Sequence, residues 1–374
     1  MHAFRSSDIP SPSRRGFLGT AAAATGVAAL FPRLADSAAS GDNPRRIDVH
    51  HHFVPPAYVA FAKAHNQSPG LMMKGRTSGG NTTVPWELAI DMEDMDKNGT
   101  AVSLMSVTTP GFWFGNTDDI RKVTRECNEY GAKLIADHPG RFGSFASVHI
   151  PDIDGALKEI EYSLDTLKAE GIGLFSSYRD KWLGHESFAP IYQELNRRKA
   201  VVFVHPITAA CCTNLIPGVM DTIIDYGADT GRAIANVVFN GTTTKYPDIK
   251  WIFSHGGGVM PFVVERFLVG TQAEIVPGIM TKGQDGMAPK AATAGTLAEV
   301  RKLHFDTAQA SNPVAMGALR KVVPVSQILF GTDYWYRTAM ETGRGLVTSK
   351  VFNAAELKMI NRGNAERLLP KFKS

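Results

Sequence analysis

Short apolar, β-rich runs recur along the chain, and each is followed by a stretch whose apolar residues return every three or four positions. The runs are Arg46–His50, Val102–Val107, Gly143–Val148, Gly171–Phe175, Val201–His205, Trp251–His255, Leu303–Asp306 and Ile328–Asp333, eight in all. The intervening stretches are Glu87–Lys97, Thr117–His138, Ile153–Ala169, Ala189–Arg198, Gly231–Lys245, Val259–Val269, Pro313–Val322 and Ala354–Leu369. Within them residues such as Ile160, Leu164 and Leu167 share one helical face. Eight alternating strand and helix units in about 330 residues predict a (β/α)8 TIM barrel of the α/β class, with its active site at the C-terminal strand ends. An open doubly wound sheet is the competing arrangement, but no GxGxxG follows the first run. Three connections are long: Pro55–Pro85, Pro206–Thr230 and Gly270–Leu297. The first two leave strand C-termini, so they are expected to cover the barrel mouth.

The N-terminal residues follow a different pattern. Ser13-Arg14-Arg15-Gly16-Phe17-Leu18 precedes the small, apolar run Thr20–Phe31 and then Ser37-Ala38-Ala39. That layout is expected of a twin-arginine (Tat) export signal over 1–39, followed by a single barrel domain over 40–374 and a periplasmic address. The apolar stretch of about 12 to 15 residues falls short of the roughly 20 that span a bilayer, which disfavours an uncleaved anchor. Composition excludes disorder, since 44% of the 374 residues are hydrophobic and 20% charged. The formal net charge is +4, and the leader holds four arginines against two aspartates, leaving about +2 for the rest. A charge this small and unclustered argues against nucleic acid as a partner. Cys127, Cys211 and Cys212 are too few for a disulfide framework and lack CxxC spacing.

Candidate chemistry gathers at the strand ends. In Asp48-Val49-His50-His51-His52, alternation puts His50 and His52 on one face of a strand and His51 on the other. The fifth run ends in His205, the sixth in His255 followed by Gly256-Gly257-Gly258, and the eighth in Gly331-Thr332-Asp333. Three imidazole sites and one carboxylate at one end of a barrel suit a borderline divalent ion, most simply Zn2+ with Mn2+ as the alternative. A position left open for water or substrate makes such a centre catalytic.

These residues also carry a resemblance. The DxHxHxxP start at Asp48–Pro55, the FVHP run at Phe203–Pro206, SHGGGxxPF at Ser254–Phe262 and FGTD at Phe330–Asp333 resemble the aminocarboxymuconate-semialdehyde decarboxylase family of the amidohydrolase superfamily. The stretches Asp137–Gly143, Pro151–Ala156 and Leu195–Arg198 are most similar to its bacterial 6-methylsalicylate decarboxylase-like branch. The resemblance implies that His50, His52, His205 and Asp333 ligate the metal, that His255 acts as a general acid/base, and that Asp333 also carries a proton. The fourth run ends in Leu174-Phe175-Ser176-Ser177, without the lysine of two-metal members, so a single ion is expected. Arg266, eleven residues after His255, matches a family arginine that binds substrate carboxylate from a neighbouring subunit, implying a homodimer. A second family arginine, shortly before the position of Trp86, has no counterpart among Asn81–Pro85. That absence disfavours a two-acid substrate and favours an aromatic monoacid, for which Phe112, Trp113 and Trp335 offer flat walls.

The expected activity is therefore non-oxidative decarboxylation of a 6-methylsalicylate or hydroxybenzoate-type acid, with no organic cofactor. Hydrolysis of an amide or lactone by metal-bound water uses the same residues and is the alternative. A periplasmic binding protein is the third class, but it needs two lobes and gives no reason for metal-type residues at strand ends.

Overall fold

In the computed structural model, residues 43–67, 72–74, 83–269 and 295–373 are described. The leader expected at 1–39 and most of the third long connection lie outside them. All eight apolar runs become parallel neighbours in one sheet: β1 Arg46–His52, β2 Thr100–Ser106, β3 Phe142–Ser147, β4 Gly171–Phe175, β5 Val201–His205, β6 Lys250–Phe253, β7 His304–Asp306 and β8 Ile328–Leu329. Strand order follows chain order. Helices connect the strands, as right-handed parallel crossovers require. Strands such as β5 are buried at every position, the signature of a parallel sheet covered on both faces.

The sheet closes on itself through β1. The amide of Val49 donates to the Phe330 carbonyl at 2.9 Å, that of Asp333 to His50 at 2.8 Å and that of His52 to Tyr334 at 3.1 Å. Between Asp48 and His51 the register against β2 jumps, placing an extra residue in β1 at Val49–His50. The barrel interior is filled by Val102, Leu104, Phe145, Val201, Phe203, Ile252 and Leu329, with Leu369 and Phe372 in the same cluster. Phe145 and Phe203 stack at 5.2 Å. The lumen is therefore a solid core, and only its C-terminal end is available for chemistry.

Several helices differ from the expected spans. The helix expected from Gly231 begins at Asp225 and ends at Phe239. Its first turns read Asp225-Tyr226-Gly227-Ala228-Asp229, whose polar and small residues hide the apolar period. Gly258 is needed opposite this turn, because a Cβ there would lie 2.2 Å from the Gly227 carbonyl oxygen. The first long connection contains a helix, Pro56–Ala64, that buries Tyr58, Phe61 and Ala62 at helical spacing. A further helix, Ala339–Ser349, has a buried face made largely of small residues, Ala339, Thr342 and Gly343 beside Leu346, so hydrophobic periodicity is weak. Its Thr338-x-x-Glu341 capping box is the one sequence signal by which it could have been found. The last helical stretch is interrupted by a π-turn at Met359–Gly363.

Candidate metal centre

The ends of β1, β5, β6 and β8 bring His50, His52, His205, His255 and Asp333 to one point. His50 and His52 arrive side by side, with their Nε2 atoms 3.2 Å apart. The His205 ring lies 5.1 Å from that of His50 and 4.9 Å from that of His52, and its Nδ1 bonds the Pro206 carbonyl at 2.7 Å. Asp333 Oδ1 is 3.3 Å from His50 Nε2 and 2.9 Å from His52 Nε2, while Oδ2 is 3.2 Å from His255 Nε2. Candidate ligand atoms of His50, His205, His255 and Asp333 all fall within 4.8 Å of one another.

His255 and Asp333 reach this point by leaving the sheet, not by following it. Both have left-handed backbones, with φ of 55° and 63°, and so does Gln309 at 49°. Such conformations cost a non-glycine residue of order 1–3 kcal/mol each and persist where the surroundings over-determine them. Here Asp306 is one of the determinants. Its Oδ2 bonds His50 Nδ1 at 2.8 Å, and its Oδ1 accepts the backbone amide of His255 at 2.8 Å. Gly331 makes room for this arrangement, since a Cβ there would lie 2.8 Å from that of Asp306 and 2.9 Å from that of His50.

The charges are interdependent. Burial opposes a charged His50, but Asp306 and Asp333 outweigh it and push the ring up to about 10. Burial lowers His52, and it lowers His205 further, aided by the neighbouring imidazoles. Burial also opposes ionisation of Asp333, yet His50, His255 and His52 hold the carboxyl well below its ordinary value. A buried carboxylate ringed by imidazoles that cannot all be charged is a donor set for a cation. Asp333 Oδ1 fits that reading, being buried without a hydrogen-bond partner. His50 fits too: with Nδ1 held by the Asp306 carboxylate, a cation that displaces the proton from Nε2 would meet its lone pair, the usual arrangement behind a histidine ligand.

Asp306, Gln309 and Tyr226 were not singled out from the sequence. Asp306 closes the seventh run and was legible as a strand-end carboxylate. Gln309, whose Nε2 donates to Asp333 Oδ2, carries no such signal. Tyr226 lies 5.9 Å from the His205 ring and shares a 2.9 Å hydrogen bond with Thr109, a juxtaposition made only by folding.

The expected aromatic walls divide. Phe112 is buried against Tyr58 at 5.2 Å, and together with half-exposed Trp113 it borders a narrow recess shared with Phe175, His149 and His205. The Trp335 ring is 6.1 Å from that of His52. Arg266 is not brought to the centre. It is exposed on the short helix Val264–Val269, and among the described residues no hydrogen bond or ion pair joins it to the histidines.

The chain matches the amidohydrolase family over residues 47–371 and belongs to that family. Its relatives include the 6-methylsalicylic acid decarboxylase of Penicillium expansum, 35% identical over 296 residues that cover 77% of this chain and 84% of that protein. The decarboxylase macB of Penicillium terrestre is 34% identical over 347 residues, 88% of this chain and 96% of that protein. These relatives place the chain with the carboxy-lyases of the family. In fold it is similar to the crystal structure of dihydroxybenzoic acid decarboxylase from Polaromonas sp. JS666, solved with bound manganese and the inhibitor 2-nitroresorcinol. The TM-score is 0.71 at 17% identity, covering 88% of this chain and 98% of that one.

Proposed function

We propose that the protein catalyses metal-dependent, non-oxidative decarboxylation of 6-methylsalicylate or a related hydroxybenzoate, releasing CO2. The observation that carries this reading is Asp333 Oδ1, buried at the barrel mouth 2.9 Å and 3.3 Å from the Nε2 atoms of His52 and His50. His50, His52, His205 and Asp333 would hold one divalent ion, Zn2+ in our assignment and Mn2+ as the alternative. His52 is preferred to His255 as a ligand because its Nε2 approaches both His50 and Asp333 Oδ1, whereas His255 approaches the other carboxylate oxygen. When bound, such an ion supplies positive charge that neutralises and orients substrate oxygens.

The chain's own residues then manage the proton. The reaction needs one proton on the ring carbon that bears the carboxylate; the electron pair of the breaking C–C bond returns to the ring as CO2 leaves. His255 and Asp333 are the pair able to hold and pass that proton, 3.2 Å apart. The His255 side chain is 11% exposed against 4% for Asp333, so exchange with solvent runs through His255. Phe112, Trp113 and Trp335 offer apolar surface to an aryl ring, and the barrel core beneath excludes water. No organic cofactor is called for by these steps.

Arg266 is assigned to the mouth of a neighbouring protomer in a homodimer. Its exposure supports this, as do the exposed apolar residues Met220, Ile223 and Phe262, which flank the helix Asp225–Phe239. Export through the twin-arginine leader is retained as a proposal resting on the sequence, with cell fractionation as its check. The central experiment is to incubate the metal-loaded protein with 6-methylsalicylate and look for 3-methylphenol and CO2. Turnover is expected. No turnover with it or with other salicylates overturns the substrate class, and incorporation of 18O from water into the organic product points to hydrolysis.

A further inference from the structure

The eighth strand is too short to place Asp333 by itself. On the β7 side only Ile328–Leu329 pair; on the β1 side the Asp333 amide still donates to the His50 carbonyl and a single bridge joins His51 to Tyr334, but the backbone of Asp333 is left-handed. Where pairing with β7 stops, side chains on the outer face of the barrel add to these β1 contacts. Asp48 Oδ1 accepts the Thr332 amide at 3.0 Å, and Oδ2 accepts the Thr332 hydroxyl at 2.6 Å. Immediately after Asp333, the Tyr334 ring lies flat on His51, 4.5 Å away and 6° from parallel. The His51 ring is in turn fixed at both nitrogens, Nδ1 by Asp48 at 3.2 Å and Nε2 by Asp91 at 2.9 Å. Asp91, from the helix Leu88–Lys97, accepts the indole N–H of Trp86 at 3.0 Å. His51 is 2% exposed and Asp91 fully buried, so water cannot substitute for any of these contacts.

We infer that His51 and Asp91 are a positioning pair: acting through Tyr334, they keep the left-handed turn at Asp333 aimed into the centre and so set its affinity for a divalent ion. The inference rests on the metal reading of the centre. Neither residue touches the centre itself. His51 points away from it, and Asp91 belongs to a helix outside the barrel. What they fix is a left-handed backbone conformation that costs aspartate free energy and persists where its surroundings over-determine it. A planar stack on a ring locked at both nitrogens does that more stiffly than an apolar contact, because the ring can neither rotate nor slide without losing a buried hydrogen bond.

The test is Asp91→Asn in the full-length protein, with affinity for Zn2+ alone read by competition against a chromogenic chelator. Weakening of about 10- to 100-fold is expected, the range typical of groups behind a metal ligand. The kcat should fall by a similar factor with KM little changed, and the absorption spectrum of the Co2+-substituted protein should shift. Adding His51→Ala should cost little more than either change alone, since both act through one network. Leu195→Ala, in a buried position on a distant helix, serves as the control: it should lower Tm while leaving Zn2+ affinity intact. A folded Asp91→Asn protein with wild-type Zn2+ affinity overturns the inference. Should that variant not fold, Trp86→Phe, which removes only the indole bond to Asp91, must weaken Zn2+ several-fold, and unchanged binding overturns the inference equally. If the wild-type protein retains neither Zn2+ nor Mn2+, the metal reading itself is overturned, a result distinct from either.

Discussion

His205 and Asp333 meet at the same centre but are delivered to it in different ways. His205 ends a fully buried strand whose neighbours on both sides are in register, Leu174 beside Val204 and Phe253 beside Val204, so the ladder alone determines where its ring emerges. Asp333 follows a strand that pairs with β7 over two residues only; besides its amide bond to the His50 carbonyl, its carboxylate is placed by a left-handed turn, by Asp48 through Thr332 and by the stack of Tyr334 on His51. A ligand on a ladder inherits the rigidity of the core, whereas one beyond it depends on a few buried polar contacts. The first should tolerate change around it, and the second should not.

The largest effect that bears on this contrast is loss of the carboxylate itself. Asp333→Asn should lower decarboxylation about 10³-fold or more, within the range of positioned acid–base groups with the loss of a metal ligand added. His205→Ala should lower metal content and activity together. Elemental analysis of the folded variants beside CO2 release checks both, and a fully active His205→Ala protein would contradict its assignment as a ligand. Treatment with a chelator should abolish turnover and lower Tm, with both restored by the divalent ion, because an ion that binds only the folded state stabilises it by mass action.

A smaller effect is expected from Gly331→Ala. The added methyl would press on the Cβ atoms of His50 and Asp306, parting the pair that orients His50, at a cost of about 1–3 kcal/mol. Weakened metal binding along with a lowered denaturant midpoint is expected; unchanged binding would show that the β1 side absorbs the strain. Gly317→Ala gives the opposite sign. It lies within the helix Pro313–Val322 with open space around it, so a gain of up to about 1 kcal/mol is expected.

His149, beyond the end of β3, gives a pH-dependent measure of how dry the mouth is. Burial lowers its ring to about 4. A histidine lowered in the folded state leaves the unfolded chain binding more protons between about 4 and 6.5. Its contribution is thus fully present above pH 6.5 and is lost as pH falls towards 4, by at most about 3 kcal/mol. Urea titrations of the wild type and His149→Gln across that window should diverge, with the variant showing the shallower loss. Parallel curves would mean that the ring is hydrated in the folded state.

The β1 histidines and the strand-end residues His205, His255 and Asp333 were legible because each closes an apolar run, and a barrel collects strand ends at one mouth. The helix Ala339–Ser349 is hard to see in the sequence, because its buried face is made largely of small residues that leave only a weak hydrophobic period. His51 was read only as pointing away from its neighbours. Nothing in the chain announces that Asp91, forty residues on, would meet it.

By itself the sequence determined the barrel, the end at which chemistry lies and the residue types available there, because alternation and strand order are local properties of the chain. Which imidazole faces which carboxylate oxygen, the left-handed turns at His255 and Asp333, and the outer-face network through His51 were decided only by tertiary structure. Those contacts join residues as far apart as Asp48 and Thr332, and their energies exist only once water has been excluded from between them.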